Sequence, residues 1–275
     1  MYSALQDLIE IAVTGAPPGV SWSICIRDES GQELASHDPD TALSTASIGK
    51  LLLLAEVARQ YEDGSLLSTE LLCRTTDVAV GDSGLWQHLQ VEALPIEDLA
   101  VLVASTSDNL ATNVLLKRVG LPQVQALSNS LGLTKTALLD RVRDQRTAEH
   151  PPTLSVGSAG ELSRLMSQVS GKCAISPAVS ERLNRWLATG VDLSMVASPF
   201  GFDPLSHATH DRGLLVRNKT GNDTGVRADV GFLSGPRTSV SYAVIANWKN
   251  SNQDPRDLVL AAMSNIGKGL KKYVQ

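Results

Sequence analysis

Three short stretches carry residue types that could do chemistry together. They are Ser47-Ile48-Gly49-Lys50, Ser107-Asp108-Asn109 and Lys219-Thr220-Gly221. The first follows a small, polar run, Leu43-Ser44-Thr45-Ala46, and opens an apolar one, Leu51-Leu52-Leu53-Leu54-Ala55. That pattern predicts the N-terminus of a buried helix with Ser47 in its first turn. Residues three apart share a helix face, so Ser47 and Lys50 can touch. A helix start also aims unpaired N–H groups and the positive end of the dipole at that spot. A hydroxyl, an amine and positive potential at one place make a nucleophile site.

A Ser-x-x-Lys pair alone is weak, and so are the other two tripeptides. Their order carries the weight, with about 60 and then about 110 residues between them. Each also sits in a fitting context. Ser107-Asp108-Asn109 falls in a break between two helical runs, and Lys219-Thr220-Gly221 follows a strand.

This set resembles the serine penicillin-recognising enzymes, most of all the class A β-lactamases, with D,D-peptidases and related esterases behind them. The resemblance spans nearly the whole chain, Leu139-Asp140-Arg141 and the terminal helix included. It implies that Ser47 attacks a carbonyl and becomes acylated, and that Lys50 takes the hydroxyl proton. An amine shielded from water and close to Lys219 loses its proton more easily, as a general base must. Ser107 would relay a proton to the leaving atom, and Asn109 would hold Lys50 and the substrate. Lys219 and Thr220 would meet a substrate carboxylate. Gly221 would let the strand approach the ligand closely. The N–H groups of Ser47 and Asn222 would form the oxyanion hole. Arg227, on the next strand, stands near the place of a carboxylate-binding arginine, with an ordinary strand arginine as the other reading. Trp86 either occupies the place of an aromatic gatekeeper at the mouth or packs in the core.

The chain departs from the family in one segment. Class A enzymes deacylate with a glutamate in an Arg-x-Glu-x-x-Leu-Asn stretch. Here the segment reads Arg141-Val142-Arg143-Asp144-Gln145-Arg146-Thr147-Ala148-Glu149, with Arg143 at the glutamate position. An arginine cannot serve as a base. Asp144 or Glu149 could be displaced into the role; otherwise acylation would outrun deacylation.

The elements that must position these groups follow from periodicity. Leu5, Leu8, Ile9 and Ala12 mark a helix face ended by Gly15-Ala16-Pro17-Pro18-Gly19. Val20, Trp22, Ile24 and Ile26 alternate with Ser21, Ser23, Cys25 and Arg27, a strand with one buried face. The turn Asp28-Glu29-Ser30-Gly31 leads to a return strand over Gln32 to His37. Between 45 and 211 only helical runs stand out, at 49–60, 95–105, 109–119, 122–131, 158–169 and 177–189. Strands return at 214–217, 230–233 and 240–247, with a tight turn at Ser234-Gly235-Pro236-Arg237. Asp254-Pro255 then opens a helix with a stripe of Leu258, Ala262, Ile266 and Leu270.

The fold class expected is α+β. Both chain ends, 1–44 and 212–275, build one antiparallel sheet flanked by the terminal helices, and 45–211 forms an all-helical insert lobe. The site lies in the cleft between them.

Composition narrows the partners. A net charge of −5 with no Lys/Arg cluster argues against nucleic acid. The longest apolar run, Leu51 to Val57, is interrupted by Glu56 and is too short to span a bilayer. The start of the chain has no secretory character, so it is cytoplasmic as written, or secreted if a leader has been removed. Cys25, Cys73 and Cys173 are odd in number and far apart, and read as reduced packing residues. His207-x-x-His210-Asp211 is a weak metal pattern on a loop; no metal and no cofactor is expected. The partner expected is a small acyl amide or ester, a β-lactam included, bearing a carboxylate. A ligand binder that kept the cleft and lost turnover is the reading from another class.

Overall fold

The computed structural model describes residues 2–74, 81–249 and 254–275. The chain opens with helix α1 (Tyr2–Thr14), then the hairpin β1 (Val20–Asp28) and β2 (Glu33–His37). Asp28 makes the turn: its Oδ1 accepts from the N–H groups of Ser30 and Gln32, both at 2.9 Å, and Gly31 takes φ 83°. After β3 (Leu43–Ser44) and a 3₁₀ turn (Ala46–Gly49) comes α2 (Lys50–Glu62). Strands β4 (Leu71–Cys73) and β5 (Ala93–Pro95) precede α3 (Ile96–Thr106), α4 (Asn109–Val119) and α5 (Leu121–Ser130). Strands β6 (Ala137–Leu138) and β7 (Ser155–Gly157) precede α6 (Ala159–Ser170) and α7 (Pro177–Leu187). The chain ends with β8 (Leu215–Asp223), β9 (Val226–Ser234), β10 (Ser239–Trp248) and α8 (Arg256–Val274).

The main sheet is antiparallel with order β2-β1-β10-β9-β8. Both chain ends build it, as the α+β expectation has it. One face carries α1 and α8: Ile9, Trp22, Ile24, Tyr242, Val244, Met263 and Ile266 share a buried cluster there. The other face packs on the helical lobe, where Ala228, Val230, Ala243 and Ile245 join a core built on α2, α3, α4 and α7.

Four expectations need correction. The insert is not all helical: β4 pairs with β5, and β7 lies between β3 and β6. These strands are two or three residues long, too short for a period-two signal. Strand β1 buries both faces at its centre, since Ser23 and Cys25 are as buried as Trp22 and Ile24. The sheet is sandwiched, and sandwiched strands lose the polar face. On α8, Leu258 is 55% exposed, and the buried stripe is Val259, Ala262, Met263, Ile266, Leu270 and Val274. Of the cysteines, only Cys25 packs; Cys73 and Cys173 are exposed.

Candidate active site

Ser47 sits in the 3₁₀ turn that runs directly into α2. The residue before it, Ala46, has φ 47°, a left-handed conformation that disfavours any side chain. Ser155 on β7 holds this strained turn. Its hydroxyl donates to Ala46 O at 2.6 Å, meets Thr45 Oγ1 at 2.7 Å and accepts from Gly49 N at 3.3 Å. A methyl at Gly49 would collide with Ser155 Cβ. Gly221 of β8 presses on the same turn: a Cβ there would collide with Thr45 O and lie 3.2 Å from Ser47 N. The close approach that Gly221 permits is therefore to the chain's own backbone.

Lys50 is fully buried at the start of α2. Its Nζ donates to Ser107 O at 2.6 Å, Ser107 Oγ at 3.1 Å and Asn109 Oδ1 at 2.6 Å. Its backbone N–H donates to Ser47 O and Ile48 O, while the Nζ bonds go to Ser107 and Asn109. Burial first, and then the nearby Lys219 cation, drive its proton affinity well below the usual lysine range, with Asp108 opposing. Ser107 reaches Lys50 because it breaks the helix: it caps α3 in the left-handed region at φ 56°. Asp108 then caps α4 through Ala111 N at 2.9 Å, and its other oxygen accepts from Leu85 N and Trp86 N. Asp108 thus builds the frame around its two neighbours.

The third stretch lies inside β8, where the sequence put it after a strand. Strand β8 is the edge of the sheet and pairs with β9 alone, and Lys219 is buried with Nζ donating to Thr220 O at 2.8 Å. Burial lowers Lys219 to about 8, against the pull of Asp192 and Asp229. Behind it, Asp229 accepts from Asn218 Nδ2, Tyr242 OH and Val196 N. Burial pushes that carboxyl up to about 7.

A cleft of about 130 Å³ brings Ser47, Ser107, Lys219, Thr220 and Asn222 to one surface, with Ser83 and Asp192. Asp192, unseen in the sequence, is held there by Thr220 Oγ1 at 2.7 Å and Asn222 Nδ2 at 3.2 Å. Nothing in its local sequence ties it to β8. Ser155 was equally hidden, because its partners stand more than a hundred residues earlier.

Two expected binding residues lie elsewhere. Trp86 is 0% exposed, packs in the helical core and donates its Nε1 proton to Val91 O at 3.0 Å. A ring wholly inside the core cannot gate a mouth. Arg227 pairs opposite Asn222. Its guanidinium turns onto Asp223 O and Val226 O and lies over the Trp248 ring, outside the cleft lining though within electrostatic reach of Asp192. The tight β8–β9 turn offers those carbonyls at short reach.

In the segment after Leu139, Arg143 and Arg146 both clasp the Asp140 carboxylate, at 2.6 Å each. Asn113 of α4 brackets Val142, donating to its O and accepting from its N. Asp144 Oδ1 accepts from Gly81 N, beside Asn109, whose Nδ2 would lie 3.4 Å from a Cβ on Gly81. Glu149 is exposed. His207 is buried against Phe202, with Nδ1 3.0 Å from Asp203 O.

A family model described as "Beta-lactamase enzyme family" matches residues 2–274. The chain belongs to that family. It is 30% identical over 177 residues to a beta-lactamase of Streptomyces lavendulae, a match covering 58% of this chain. That match spans only 54% of the relative's length. A beta-lactamase of Streptomyces albus G is 26% identical over 218 residues, 76% of this chain and 68% of that one. Among solved structures, a beta-lactamase from Sphaerobacter thermophilus DSM 20745 superposes with a TM-score of 0.84 at 22% identity, covering 100% of this chain and 98% of that one. PBP-A superposes at 0.80 and 19% identity, covering 98% and 96%. At such identities the likeness shows the beta-lactamase/transpeptidase fold, and no helix among the described residues is long and apolar enough to cross a membrane.

Proposed function

We propose that this family member is a serine acyl-hydrolase that forms an acyl-enzyme on Ser47 from β-lactams or related amides and esters, and releases it slowly. The observation that carries the reading is Lys50: a buried amine with lowered proton affinity, held 3.1 Å from a hydroxyl that shares a cleft with Ser47. In the acylation step the Ser47 oxygen bonds to the carbonyl carbon, and Lys50 receives the hydroxyl proton. Ser107, already in contact with Lys50, passes its proton to the leaving nitrogen or oxygen as that atom's bond to carbon breaks, and is reprotonated by Lys50, which returns to its starting state. Backbone N–H groups of Ser47 and Asn222 stabilise the oxyanion. Asn109 fixes Lys50, and burial together with the Lys219 cation favours its neutral form.

Slow release is supported by the segment after Leu139. Arg143 is committed to Asp140, Val142 is held by Asn113, and Glu149 faces solvent. An acyl-enzyme complex with penicillin G is described for a mutant of PBP-A, a structural neighbour. Mixing micromolar protein with a chromogenic cephalosporin in a stopped-flow instrument should give a burst without sustained turnover, and intact-protein mass spectrometry should find the adduct on Ser47. Fast steady turnover overturns slow release. Absence of any Ser47 adduct, with binding still measurable, favours a non-catalytic ligand binder.

A further inference from the structure

We propose that Asp192 occupies the carboxylate-recognition position of the cleft, so that the protein selects acyl substrates that are neutral or cationic at that end. The inference rests on the acyl-hydrolase reading of Ser47. It reverses the expectation that Lys219 and Thr220 greet a substrate carboxylate.

The donors in question are already used. The Thr220 hydroxyl donates to Asp192 Oδ2 at 2.7 Å, and the Asn222 amide reaches the same oxygen at 3.2 Å. The other oxygen accepts from Ser194 N at 3.1 Å and Ser194 Oγ at 2.6 Å. Burial raises the proton affinity of this carboxyl, but those bonds and the Lys219 cation outweigh it and hold it below the ordinary aspartate range. The anion is thus fixed on the Thr220 and Asn222 donors that β8 presents to the cleft.

Asp192 is also hard to move. Val191 N donates to Ser105 O at 3.0 Å, at the end of α3, and Asn218 Nδ2 donates to Asp192 O at 3.2 Å. The backbone is therefore tied on both sides, to the helix bearing Ser107 and to the strand bearing Lys219. A Cβ on Gly190 would meet Asn218 O at 3.5 Å and Ala104 O at 3.9 Å in ordinary contact, so the segment lies between that strand and that helix. An incoming carboxylate meets a fixed like charge, which disfavours it. An amide, hydroxyl or ammonium group meets an acceptor.

The probes are a penicillin and its methyl ester, which differ at this end by the charge and one methyl group, and the Asp192 variants separate the two effects. Mass spectrometry would follow acylation of Ser47 by each, with each rate divided by the probe's own rate of alkaline hydrolysis. The wild-type protein should favour the ester by about tenfold, and Asp192→Asn and Asp192→Ala should each move the acid-to-ester ratio about tenfold towards the acid. A ratio unchanged in a folded variant, or a wild type that already favours the acid, overturns the role of Asp192 and leaves the acyl-hydrolase reading standing. Should neither probe label Ser47 in any of the three proteins, the acyl-hydrolase reading falls and takes this inference with it.

Discussion

Gly221 lies directly against the Thr45 carbonyl, joining strand β8 to the turn that carries Ser47: a methyl at Gly221 would collide with Thr45 O and crowd Ser47 N at 3.2 Å and Ile48 Cγ1 at 3.1 Å. Two motifs about 170 residues apart in the chain thus meet backbone to backbone. Gly221→Ala must push the turn away from the strand. Such overpacking costs about 1–3 kcal/mol, and it should lower Ser47 acylation as well as the urea midpoint. A variant with native midpoint and native acylation would show that the contact is loose.

Lys50 is the proposed base, and a positioned base contributes roughly 10²–10⁴-fold. Lys50→Ala should therefore slow acylation by a factor in that range, measured by adduct formation with a penicillin ester. Retained labelling would move the base elsewhere.

Lys219 should set the pH at which Lys50 works. Its cation favours neutral Lys50, so Lys219→Met should raise Lys50's proton affinity and shift the acid limb of the acylation profile upward by about one pH unit. Stability has its own sign. Lys219 titrates at about 8 in the folded chain against 10.5 as a free side chain. Between those values the unfolded chain binds more protons, so this group adds stability as pH rises through the window. Urea melts of wild type and Lys219→Met on both sides of pH 8 should differ in that slope; parallel slopes would contradict the burial of the charge.

Ser155 grips the nucleophile's turn from β7. Ser155→Ala leaves Ala46 O without its donor, and losing a buried partner costs about 1–3 kcal/mol. With Ala46 released from φ 47°, acylation should slow while probe affinity holds. Unchanged kinetics would make Ser155 a purely structural residue.

Asp144 tests the deacylation account. A displaced base would be worth about 10²–10⁴-fold, so Asp144→Asn should leave the lifetime of the acyl-enzyme essentially as it was. A lifetime extended by that factor would make Asp144 the base.

The sequence by itself determined which residues were worth watching and the broad fold. Periodicity marked the helices of the insert nearly to their ends, and the strands of both chain termini, because each signal is local: burial on one face of a helix, or turn chemistry around Asp28 and Gly235. Short strands such as β6 and β7 carry too few residues for a period, and the two-sided burial of β1 erased the polar face that alternation needs. Trp86 and Arg227 could be read as binding residues because residue type does not say which way a side chain turns. Only the tertiary structure decided that Lys50 reaches Ser107 and Asn109, that Gly221 presses on Thr45, and that Asp192 takes the donors of Thr220 and Asn222. Those are contacts across the sheet–helix boundary between residues far apart in the chain. Distance and direction there are set by packing of the whole core, which no local stretch of sequence encodes.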